Sequence, residues 1–124
     1  MLTRDKNVEV EVEGGKIGLR VDNWVLKETQ KKTGCKGVIE LFRKIGFDDG
    51  NIDIESFIIL IMEAANEYNF HQKIDKVIDE RQASEYIDAM GGIIDSMAKI
   101  SEGFKQLDPN QTAPEKAGEN ENSQ

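Results

Sequence analysis

One cysteine, one histidine, one tryptophan and two prolines are all that the 124-residue chain holds of those residue types, and each scarcity excludes something. With Cys35 alone there is no intrachain disulfide, and no zinc site can be built from cysteines. His71, the one histidine, has no second imidazole to join it in a metal site, and it is read as a loop or helix-start residue in the polar stretch NFHQK. No apolar run approaches the roughly 18 residues of a membrane span. The N-terminal MLTRDKNVEVEVEGG has no apolar signal core, so a soluble cytoplasmic protein is expected, without membrane contact. Basic charge is also short. Lys and Arg number 16 against 24 Asp and Glu, for a net charge of −8, and no patch interleaves Lys or Arg with aromatics. Affinity for nucleic acid rests largely on phosphate neutralisation, so nucleic-acid binding is not expected.

Glycine-rich phosphate loops are missing as well. Neither Gly14-Gly15, Gly34/Gly37 nor Gly91-Gly92 carries a lysine–serine/threonine ending or a strand–turn–helix fingerprint. The stretch GFDDGNIDIESF, residues 46–57, resembles half of a calcium loop, yet it fails the ligand test. With Gly50 at the sixth position, Ile45, Phe47 and Ser56 fall where ligands must stand, and only Asp49 fits. A turn at Asp48-Asp49-Gly50 and a helix cap at Asn51 or Asp53 explain it better. The acidic pairs Asp48/Asp49 and Asp79/Glu80 are read as solvated faces. No catalytic residue, cofactor or metal ligand is assigned, and a non-enzymatic protein is expected.

Several positive signals are strong. In residues 8–21, VEVEVEGGKIGLRV, Val8, Val10 and Val12 alternate with Glu9, Glu11 and Glu13; Ile17, Leu19 and Val21 alternate on the return. This is the period of half-buried strands, and Gly14-Gly15 can make a two-residue hairpin turn. Turning there pairs Val12 with Ile17, Val10 with Leu19 and Val8 with Val21, and sets Glu13 against Lys16 and Glu9 against Arg20. The free edge at Val8–Glu13 invites strand addition by a second copy.

Helices follow. Asp22 or Asn23 caps a segment from Trp24 to Thr33 that stops at Gly34 and packs by its apolar start, Trp24, Val25 and Leu26. A second helix, about 36–45, has Val38, Leu41, Phe42 and Ile45 on one face. A third, about 54–68, is apolar nearly all round and forms the centre of the fold. A fourth covers about 72–90, with Ile74, Val77, Ile78, Tyr86, Ile87 and Met90, and ends at Gly91-Gly92. The last, about 93–107, spaces Ile93, Met97, Ile100, Phe104 and Leu107 as one seam. The fold expected is α+β, mainly helical with an N-terminal β-hairpin, in one domain over 1–107. A polar tail, 108–124, is expected to be disordered.

The seam is first of all a face for docking on the domain's own core. As the candidate for partner binding it comprises Met90, Ile93, Met97, Ile100, Phe104 and Leu107, with the methionines suited to an adaptable contact.

The layout as a whole resembles the tail assembly chaperones of long-tailed bacteriophages and related gene-transfer particles. The resemblance lies in the order and spacing of a hairpin leading into NWVLKETQKKTG, a small helix, a mostly apolar helix over Phe57–Tyr68, then EYIDAMGGI and a terminal amphipathic helix. It spans about residues 8–107. It implies a small, helical, non-enzymatic protein of the bacterial host cytoplasm that binds the tape-measure protein and helps recruit tail-tube subunits. Another phage structural, cargo or regulatory interaction module is the alternative reading, and a small enzyme built on His71, Cys35 or buried carboxylates is a further rival.

Overall fold

The computed structural model describes residues 6–47 and 49–107, with side chains as far as residue 101. Two strands, β1 (Asn7–Val12) and β2 (Gly15–Arg20), precede five helices: α1 (Asn23–Thr33), α2 (Val38–Ile45), α3 (Ile54–Gln72), α4 (Glu80–Ala89) and α5 (Ile93–Leu107). The architecture is α+β and mainly helical, with an N-terminal antiparallel hairpin, as expected. Among the described residues no helix is long and apolar enough to cross a membrane.

The hairpin forms, but its register differs from the expected one by two residues. Val10 faces Ile17, Val8 faces Leu19, and Glu9 faces Gly18, so the turn falls on Glu13-Gly14 and Gly15 opens β2 opposite Val12. A two-residue shift leaves every side chain on its own face, so Val10, Ile17 and Leu19 are still buried. The expected ion pairs change instead. Lys16 pairs with Glu9 at 3.3 Å, and Arg20 pairs with Asp22 at 3.1 Å.

Contacts of Tyr68 with both strands fit this register. A Cβ there would stand 2.2 Å from the ring of Tyr68, whose hydroxyl donates a 2.6 Å hydrogen bond to Glu9 Oε2 directly across the ladder. Only glycine lets the α3 tyrosine ring come this close to the strand.

Central helix α3 packs against β2, α1, α2 and α4. Its Phe57, Leu60, Ile61 and Ala64 are fully buried, as an all-round apolar helix requires. Asp53 is its cap, accepting the Ser56 amide at 3.2 Å, and it runs through Gln72, beyond the expected end at residue 68. Asp22 caps α1 by accepting the Val25 amide at 3.1 Å. Val25 and Leu26 are buried as expected, but Trp24 is 54% exposed and lies under the Lys27 ammonium, 4.2 Å from the ring centroid.

The helix expected over 72–90 is a second correction. Residues 74–79 are not helical, and α4 begins only at Glu80. Lys73 takes a left-handed conformation at φ 60° and ends α3. The Asn66 side chain then holds the following strap at both backbone groups of Ile78, donating to its carbonyl at 2.9 Å and accepting its amide at 2.8 Å. Asn69 donates to the Lys76 carbonyl at 3.1 Å. Asp79 and Gln82 close a reciprocal capping box that starts α4. Ile78 is thereby buried, whereas Ile74 and Val77 face solvent.

Candidate functional site

The apolar seam lies mostly inside. Met90 and Ile100 belong to the core, and Ile93 and Met97 are half-buried against it. These four therefore dock α4 and α5 on the rest of the domain. Phe104 and Leu107 lie outside the residues whose side chains are described, and the tail from 108 lies outside the described residues altogether, as does Asp48.

Exposed apolar side chains stand elsewhere. Phe70, in the last turn of α3, is 75% exposed, and Val77, on the strap, is 81% exposed. Ile74, between them in sequence, is also exposed, so residues 70–77 present three large apolar groups to water. Ile39, Ile54 and Ile94 are also exposed. Sequence reasoning missed the exposed row because Ile74, Val77 and Ile78 fit the spacing of one helical face.

A polar cluster joins the start of α1 to the end of α3. His71 lies in the last turn of α3, not at a helix start or in a loop. Its Nε2 is 3.1 Å from Glu67 Oε2 and 3.8 Å from Asp22 Oδ2. Glu67 and His71 are one turn apart on α3 and so share a face. Asp22 comes from the cap of α1, which the packing of α1 on α3 brings alongside. Arg20 Nε donates to Asp22 Oδ2 at 3.1 Å from the β2 side. The Phe70 ring meets the imidazole edge to face, with centroids 5.4 Å apart.

The two carboxyls hold their protons unequally. Burial, then the hydrogen bond with Asp22 and its negative charge, push Glu67 up to about 7. Burial also raises Asp22, but the Glu67 hydrogen bond, the Val25 amide and Arg20 outweigh it and leave that carboxyl below its ordinary value. Asp22 is thus the ionised member and Glu67 the one that retains a proton toward neutral pH.

Chemically, the cluster offers two carboxylate oxygens and one imidazole nitrogen, with a guanidinium behind them. Histidine and cysteine counts leave His71 without a second ligand of those types, and the fold supplies carboxylates instead. The spacing of Glu67 and His71 was a usable signal, whereas Asp22 could be added only by tertiary packing. Cys35, also considered as a nucleophile, is buried beside the end of α1. The chain matches no protein-family model, no curated protein and no solved structure.

Proposed function

We propose that the chain is a non-enzymatic protein-binding module acting as a tail assembly chaperone in a bacterial host cytoplasm, where it masks apolar helical stretches of a tape-measure protein and assists tail-tube assembly. The observation that carries the binding role is the exposed row Phe70, Ile74 and Val77 on an otherwise acidic chain of net charge −8. Apolar side chains kept at the surface are a standing cost in water that a complementary apolar partner removes. The acidic balance keeps the unbound protein dispersed while that row is open. Support for this particular partner comes from the order of elements: hairpin, two short helices, a long central helix and two further helices. The route of binding differs from the seam considered first, because four of the seam residues are engaged with the domain itself.

Co-expression with the tape-measure protein tests the proposal. The chaperone is expected to move that long helical protein from the insoluble to the soluble fraction and to co-purify with it. Soluble yield that does not change with co-expression, and no co-purification, would rule out this function.

A further inference from the structure

We propose that Asp22, Glu67 and His71 form a binding site for a divalent transition-metal ion, with Zn2+ as its cation. Geometry carries the assignment. Bonds of about 2.0–2.2 Å to oxygen and nitrogen ligands set neighbouring ligand atoms roughly 3–4 Å apart around one ion. His71 Nε2 lies 3.1 Å from Glu67 Oε2 and 3.8 Å from Asp22 Oδ2, and one ligand atom from each of the three residues falls within 4.8 Å of the others. Small side-chain adjustments close the triangle around an ion.

The ligands are also held in place. Asp22 is fixed through Oδ1 by the Val25 amide and through Oδ2 by Arg20, the kind of outer hydrogen bond that orients a ligating carboxylate. Glu67 and His71 are set by one turn of α3, and the Phe70 ring stands against the imidazole edge. Asp22 and Glu67 are largely buried, while His71 is 39% exposed at the side chain and leaves a path from solvent.

The donor set selects the ion. An imidazole nitrogen favours zinc and its neighbours over magnesium and calcium, which prefer all-oxygen shells. Formal charge agrees once the ion displaces the Glu67 proton: two carboxylates against Arg20 then leave one negative charge for a dication. Because the ligands come from the start of α1 and the end of α3, the bound ion cross-links these two helices. The binding role proposed above does not depend on this site.

The test is a calorimetric titration of the tag-free, chelator-stripped full chain with Zn2+, with His71→Ala and Glu67→Gln in parallel and Asp88→Asn as a surface control. One ion is expected to bind per chain, with affinity at least about tenfold weaker in each ligand variant and unchanged in the control. Co2+ in place of Zn2+ should give the wild type a visible spectrum that His71→Ala lacks. His71→Ala alters an exposed side chain, and matching circular dichroism spectra check that the fold persists. Absence of stoichiometric binding to the wild type, or equal affinity in wild type and both ligand variants, overturns the site.

Discussion

Among the described residues, Thr29 is where the interior is least satisfied. It is fully buried in α1, and its hydroxyl has no hydrogen-bond partner among the described residues. A buried hydroxyl without a partner is a desolvation loss, and valine has nearly the same shape without that group. Thr29→Val is therefore expected to stabilise the domain by about 1 kcal/mol, read as a rise of several degrees in melting temperature. A lower melting temperature would mean that the hydroxyl is bonded. Glu67 supplies a second expectation, through pH. Its folded value of about 7 lies above the ordinary 4.5, so between those values the folded chain holds a proton that the unfolded chain has released. Its contribution is complete below the unfolded value and is lost as pH rises through the folded one. In chelator, the melting temperature of Glu67→Gln should accordingly fall less than that of the wild type from about pH 5 to about pH 8. Parallel curves would show that Glu67 titrates normally.

Among the elements, those with local causes were legible in the sequence. Asp22 and Gly34 bound α1, Asp53 starts α3, and the amides of Gly91 and Gly92 close α4 after its Met90 cap by donating to the Asp88 and Ile87 carbonyls, each through chemistry within a few residues. The hairpin was legible in phase but not in register. Alternation distinguishes a one-residue slip, which inverts the faces, from none; a two-residue shift is invisible to it. What fits the observed register is Tyr68, which lies against Gly18 of β2 and donates to Glu9 opposite it on β1, contacts from a helix far along the chain. The strap at 74–79 was hidden for the same reason. Ile74, Val77 and Ile78 have helical spacing, but Asn66 and Asn69 take up the strap's backbone groups from a neighbouring element. Asn66→Ala removes both hydrogen bonds to Ile78 and is expected to cost about 1–3 kcal/mol. Its clearest readout is hydrogen exchange, with the Ile78 amide losing protection well before the centre of α3. Unaltered protection of that amide would show that packing alone holds the strap.

For the molecule as a whole, composition and charge bounded the answer better than any motif did. The core uses one face of the hairpin, the middle of α3 and the inner faces of α1, α2, α4 and α5. That plan was visible from periodicity. The candidate sites were not, because both depend on placement: Ile74 and Val77 stand exposed on the strap that leaves α3, and the Asp22–Glu67–His71 cluster exists only because α1 packs on α3. In the proposed function, Phe70, Ile74 and Val77 bind a tape-measure protein. The most direct test is a pull-down of the tagged chain from phage-producing cells, read by mass spectrometry beside the variant Phe70→Ser/Ile74→Ser/Val77→Ser. All three side chains face solvent, so the variant should keep the wild-type circular dichroism spectrum. A long helical tape-measure protein is expected with the wild type and is expected to be lost with the variant. Recovery of no such protein, or equal recovery with both chains, would contradict the proposed function.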